Sequence, residues 1–214
     1  MPKDDRRDCG ASPLQVPDLS ELLKEPVERE RLALPPGQDF WVFGYGSLMW
    51  HPGFPHLEVR QALLHGYHRR FCVYSHRYRG TPTRPGLVLG LDRGGSCHGM
   101  VYRAPAAEGQ AVMDYLWERE MITGVYIPKW LTLRTPDGPV TAASVVVDPS
   151  HGQYTGRITP EQTAQLIVQG VGQRGHCREY LSATLGHLEA LGIHDRSLHH
   201  LQRLVLKRCE TLGD

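Results

Sequence analysis

The run WVFGYGSLMW, Trp41 to Trp50, constrains the fold more than any other stretch of the chain. Val42 and Phe43 favour a strand. Gly44 and Gly46 then interrupt it on either side of Tyr45, and Leu48, Met49 and Trp50 return the chain to apolar surroundings. A buried strand ending in a sharp loop is the local structure this pattern allows. With glycine on both sides of Tyr45, the backbone is expected to take positive φ and to aim successive N–H groups into one concavity. Such a nest holds a carboxylate, a phosphate or a developing oxyanion without a cationic side chain, and the Ser47 hydroxyl adds a donor. A glycine-bearing hairpin or strand-to-helix turn has the same local pattern, so the loop by itself leaves both readings open.

The rest of the chain narrows the setting. At 214 residues it is long enough for one well-buried domain, and 23 glycines with 16 prolines point to many short elements rather than a helical bundle. Twenty-four basic against 23 acidic residues leave a net charge of +1, which calls for no nucleic acid and no anionic membrane surface. The five cysteines are scattered, odd in number and without Cys-x-x-Cys spacing, so neither a disulfide framework nor a zinc knuckle is indicated and a reducing compartment fits. No apolar run reaches membrane-spanning length and the charged start Met1 to Arg7 lacks a secretory core, so a cytoplasmic protein is expected.

Taken in order, residues 1–36 read as an N-terminal extension, loose to about residue 17 and then helical from Asp18 to Leu34 with an interruption at Pro26. Residues 37–214 read as one domain. Short apolar segments at 60–66, 71–74, 86–91 and 97–103 have the form of strands in a curled sheet. Two more strands, 125–134 and 140–148, flank the turn Thr135-Pro136-Asp137-Gly138-Pro139. Helices are expected over 105–121, from Pro160 under a Thr159 cap to about Gly170, after the Gly172–Arg178 loop, and over 195–211.

The register of the first helix singles out one carboxylate. At about 100° per residue, Val112, Met113, Leu116 and Glu120 share one stripe, whereas Glu118 and Asp114 face the opposite way. An apolar stripe that ends in a glutamate is a local inconsistency, because a buried charge is costly unless something pairs or uses it.

The string FGYGSLMW closely resembles the opening signature of the ChaC-type γ-glutamylcyclotransferases. Further similarities lie at Gly66-Tyr67-His68-Arg69-Arg70-Phe71, Arg79-Gly80-Thr81-Pro82, Pro85-Gly86-Leu87-Val88, Gly99 to Arg103 and Glu179-Tyr180-Leu181. The resemblance runs from about Trp41 to Leu206. It implies an α+β fold, a small mixed β-barrel with flanking helices, and cleavage of glutathione to 5-oxoproline and cysteinylglycine without cofactor or metal. The matching acid/base glutamate is Glu120, in the pair Arg119-Glu120. The γ-glutamyl end is expected at Val42, Phe43, Gly44, Tyr45, Gly46, Ser47 and Leu48, with Tyr180 as a hydroxyl partner. Arg77 or Arg79 could meet the far carboxylate of the substrate. Cys72 and His176 depart from residues frequent in the family, on the side expected to hold the leaving group. The expected partner is a small-molecule substrate, glutathione, with the protein a monomer or weak homodimer.

Other chemistries are open to the same residues. Cys72 or Cys177 could be a nucleophile beside a histidine, but neither lies on a recognisable nucleophile turn. His199-His200, and His65 with His68, invite a metal, yet adjacent helical histidines diverge and no His-x-x-x-His pair is backed by a carboxylate. A cyclotransferase for other γ-glutamyl amines, or a module that binds γ-glutamyl groups without turnover, would keep the same loop.

Overall fold

The computed structural model describes residues 16, 17, 19, 20 and 26–212. Its centre is a closed barrel of five strands: β1 (Phe40–Gly44), β2 (Glu58–Ser75), β3 (Gly86–Ala104), β4 (Tyr126–Thr135) and β5 (Gly138–Val147). Around the barrel the order is β1-β3-β2-β4-β5, antiparallel throughout except where β1 lies parallel to β5 and shuts it. The sheet thus hides its edges by closing on itself.

The four segments expected between 60 and 103 are two long strands. A bulge between His65 and Tyr67 and another between Phe71 and Val73 bend β2 without ending it, so the glycine and arginine clusters mark curvature and not termini. The first half of this ribbon belongs to the barrel wall. The second half buries Phe71, Leu87, Leu89 and Leu91 in the main core and carries the 76–85 loop.

The helix expected over 105–121 begins as a single 3-10 turn and continues as α1 (Gly109–Glu120), its start tied down by the Asp39 carboxylate accepting from the Ala106 N–H at 2.9 Å. The β4–β5 hairpin turns within one residue or two of the expected positions. In α2 (Pro160–Gln169) Thr159 and Gln162 cap each other's backbone, as the Thr-Pro-x-Gln order requires. Gly172 to His176 is not a plain loop: Val171–Gly172 (β6) and Gly175–His176 (β7) pair as a minimal hairpin leading into α3 (Cys177–Ala190). The last helix is α4 (Arg196–Leu212), whose Leu198, Leu201 and Val205 pack inward.

The helix expected to continue to Leu34 is not seen over residues 26–34. Residues 26–34 are neither helix nor strand and run along α1 as an extended strap. Residues 1–15, 18 and 21–25 lie outside the described region. Pro26, Pro35 and Pro36 bracket too short a stretch for a helix to hold, and packing against α1 decides its course.

Candidate active site

The end of β1 and the end of α1 meet over the mouth of the barrel. β1 runs out at Gly44, and Ser47–Met49 coil into one 3-10 turn. The reason for glycine here differs from the one expected. Neither Gly44 nor Gly46 has positive φ. A Cβ on Gly44 would instead press on Leu48 Cβ at 2.9 Å and on the Met49 nitrogen at 3.2 Å, so the position is glycine because the turn folds back onto it. The N–H groups of Gly46, Ser47 and Leu48 donate to no acceptor among the described residues, which leaves them available to an anion.

Several side chains hold this loop from beneath. Arg69 is buried; its Nε donates to the Tyr45 carbonyl at 2.6 Å, its far nitrogens reach the His98 carbonyl and Asp195. Tyr102 donates to the Met49 carbonyl at 2.6 Å, and Ser144 to the Phe43 carbonyl at 3.0 Å. A fully desolvated guanidinium that spends its donors on backbone carbonyls is a rigid mount. Nothing in local sequence separates Arg69 from its neighbour Arg70, which reaches outward to Asp92 and the Gly156 carbonyl.

α1 delivers Glu120 to the other side of the loop. As the helical register predicts, Glu118 is exposed, while the Glu120 side chain keeps only 20% of its accessible surface. Arg119 joins the two elements: Nε donates to Glu120 Oε1 at 3.1 Å, and its other nitrogens donate to Ser47 Oγ at 2.6 Å, Tyr115 Oη at 2.8 Å and the His51 carbonyl at 3.1 Å. Burial raises the Glu120 carboxyl above its ordinary value, and Arg119 opposes that only in part.

Three tyrosines surround the carboxylate. Tyr45, Tyr126 and Tyr180 are all pushed upward by burial, with the charge of Glu120 adding to each, so their hydroxyls stay protonated. Tyr126 donates to the Leu89 carbonyl at 2.8 Å. Tyr180 packs edge-on against Phe71, with ring centres 5.6 Å apart, and lies under the Arg79 guanidinium at 5.3 Å. It is therefore both a packed ring and a hydroxyl in the site. Tyr126 carries no sequence signal beyond opening a strand six residues after Glu120.

Together these groups line a cavity of about 730 Å³. Val42, Phe43 and every residue from Tyr45 to Leu48 contribute to its wall, with Glu120 and Tyr180, whereas Gly44, expected in the same site, does not. Ser75 to Arg79 line it as well, so Arg77 and Arg79 do reach the cavity. Arg79 is engaged with the Arg174 and His176 carbonyls, whereas Arg77 is exposed and contacts Gln173 and the Tyr78 ring. Cys72 and Cys177 lie outside that wall, wholly buried, with thiols pushed up to about 12 by burial. His176 caps α3 instead of facing the cavity. Among the described residues no three His, Cys, Asp or Glu side chains cluster as metal ligands, and no helix is long and apolar enough to cross a membrane.

A closed five-stranded barrel with helices packed around it is a γ-glutamylcyclotransferase fold, and the chain belongs to the ChaC-like protein family, whose model matches residues 40–208. Among its relatives, the glutathione-specific γ-glutamylcyclotransferase of Escherichia coli is 39% identical over 162 residues, 75% of this chain and 70% of that one. Glutathione-specific γ-glutamylcyclotransferase 1 of mouse is 34% identical, covering 78% and 77% of the two chains. The crystal structure of a yeast γ-glutamyl cyclotransferase specific to glutathione superposes with a TM-score of 0.71 over 80% of this chain and 99% of that one; at 23% identity it speaks for the fold.

Proposed function

We propose that this protein is a glutathione-specific γ-glutamylcyclotransferase, converting glutathione to 5-oxoproline and cysteinylglycine with Glu120 as its acid/base. The observation that carries the reading is the half-hidden carboxylate of Glu120, set against a loop of unused backbone amides in a family whose relatives carry that activity in their names.

The substrate supplies its own nucleophile. The α-amine of the γ-glutamyl residue attacks the γ-carbonyl carbon, closing a five-membered ring. That N–C bond forms as the amide bond to cysteine breaks, and no water enters. Holding the chain in its folded rotamer exploits effective molarities on the order of 10⁵ M or more. The barrier that remains is protonation, since an α-ammonium of reference pKa about 8 cannot attack. Glu120 takes that proton, and its raised pKa makes it a stronger base than a solvated glutamate and a ready donor afterwards. Glu120 passes that proton to the departing cysteinyl nitrogen and takes a second from the ring nitrogen, which carries one too many once the N–C bond has formed. This second proton also leaves on the cysteinylglycine amine, so the ring keeps one N–H, the product ammonium carries three, and Glu120 is returned as the carboxylate.

The other groups are assigned accordingly. The amides of Gly46, Ser47 and Leu48 meet the γ-glutamyl carboxylate or the oxyanion, Arg119 sets the carboxylate of Glu120 and the hydroxyl of Ser47 in one frame, and Tyr180 donates from the far side. Val42 and Phe43 floor the pocket beneath them. Arg77 and Arg79, which line the cavity, are assigned to the glycine carboxylate of the leaving dipeptide. The free thiols Cys72, Cys97, Cys177 and Cys209 suit a reducing compartment, and we place the reaction in the cytoplasm.

The test is incubation of the purified protein with glutathione and with a γ-glutamyl alkylamide, following 5-oxoproline and cysteinylglycine by chromatography. Turnover of glutathione and little of the alkylamide is expected, with Glu118→Gln close to wild type. Loss in Glu118→Gln and retention in Glu120→Gln would refute the assignment of the base.

A further inference from the structure

The family match begins at residue 40, yet the chain ahead of it is part of the site's scaffold. Residues 27–34 run antiparallel along the whole of α1. Leu34 lies at its first residue, where a Cβ on Gly109 would come within 3.2 Å of Leu34 Cδ1. Arg31 covers its middle, stacked 4.7 Å over Trp117 and paired with Asp114. Beyond its last residue, the Val27 N–H donates to the Thr123 carbonyl at 3.2 Å and Arg29 Nε to the Gly124 carbonyl at 2.8 Å.

The fit at that end is close. Gly124 has φ +73°, and a Cβ there would collide with the Val27 carbonyl, so the turn is shaped to the strap. Arg29 also pairs with Asp148, both side chains being about 85% buried, and Asp148 N–H donates to the Val125 carbonyl at 2.9 Å. One guanidinium thereby fastens the 121–125 turn to the end of β5. Met121, Ile122 and Thr123 of that turn line the cavity, and so does Leu32 of the strap.

We propose that the strap 26–34 is a positioning element of the active site and that Arg29 is its key residue, holding the turn that follows Glu120 so that the carboxylate stays registered against the glycine loop. This rests on Glu120 being the acid/base. A helix end released from its turn can move its last side chain by an ångström, and a displacement of that size costs about 100-fold in rate.

The experiment measures kcat and KM for glutathione across pH with wild type, Arg29→Ala and Arg29→Lys, together with thermal unfolding. The expected result is a fall in kcat of about tenfold or more in Arg29→Ala with KM changed far less, an acid limb displaced toward lower pH as water reaches Glu120, and partial recovery in Arg29→Lys, which keeps the charge for Asp148 but not the second bond to the Gly124 carbonyl. If Arg29→Ala does not fold, Arg29→Lys alone decides by the same two readouts. Variants whose kcat and pH profile superimpose on wild type, with only a lowered melting temperature, would overturn the positioning role and leave the enzyme assignment standing. Absence of glutathione turnover by wild type itself would overturn both.

Discussion

Replacing Glu120 by glutamine should damage catalysis and strengthen the fold, two effects of opposite sign from one burial. Glutamine keeps the volume and an acceptor for Arg119 Nε, now 3.1 Å from Oε1, and it cannot take a proton. Removal of a general acid/base typically costs 10²- to 10⁴-fold, so a loss of at least ~100-fold in 5-oxoproline release is expected at pH 8. The stability effect follows from the raised carboxyl. A folded-state pKa above the unfolded one, about 4.3, means the folded protein holds that proton more tightly. This carboxyl therefore contributes stability below the unfolded value and loses it as pH rises through the folded value. Glutamine, neutral throughout, escapes that loss. Each unit of elevation is worth about 1.4 kcal/mol, which in a chain of this size is about 3–5 °C in Tm. Thermal unfolding of the two proteins at pH 4 and pH 8 should show near-equal Tm at the lower pH and a higher Tm for Glu120→Gln at the upper. A Tm for Glu120→Gln that is lower than wild type at pH 8, or a difference independent of pH, would refute the claim that the carboxylate is held in a desolvated place.

Gly46→Ala should fold normally, because its Cβ would meet Leu89 Cδ1 and Tyr180 Oη at an ordinary 3.7 Å; the methyl stands where the γ-glutamyl group is to lie, so KM for glutathione should rise about tenfold, and an unchanged KM would place the substrate elsewhere. Burial works against the Asp148 carboxylate, but bonds from Ser150 and Arg29 outweigh it and hold its pKa at about 2. Asp148→Asn should therefore lose about 2 kcal/mol in urea unfolding at pH 7, a deficit that shrinks as pH falls from about 4 to 2 where the wild-type carboxylate is itself protonated. Cys72 and Cys177, buried and with thiols near 12, should remain unlabelled by iodoacetamide at pH 7.5 in mass spectra while activity persists; inactivation tracking either label would revive a thiol nucleophile.

The legible parts of the chain were those ruled by short-range physics. The β4–β5 hairpin follows from turn residues between alternating strands, α2 from a Thr-Pro-x-Gln cap, and Glu120 from a helical period that puts it on the buried stripe and Glu118 in water. The failures share a cause as well. Glycines read as positive-φ positions at 44 and 46 are there for close packing against Leu48 and Met49, and clusters read as strand ends at 66 and 92–95 are bends within β2 and β3. The course of residues 26–34 is decided by α1 beside them.

By itself, then, the sequence determined most of the element types after residue 37, the glycine loop and the one glutamate whose position contradicted its surroundings, because helical period, turn chemistry and capping act within a few residues. Only the tertiary structure decided that Arg69 is the mount of the loop and Arg70 is not, that Tyr126 joins Tyr45 and Tyr180 around Glu120, and that Arg29 reaches Gly124 and Asp148 across about a hundred residues of chain. Desolvation is the physical reason: the energy of a buried charge depends on what the barrel closure brings next to it, and adjacency in space has no local signature along the chain.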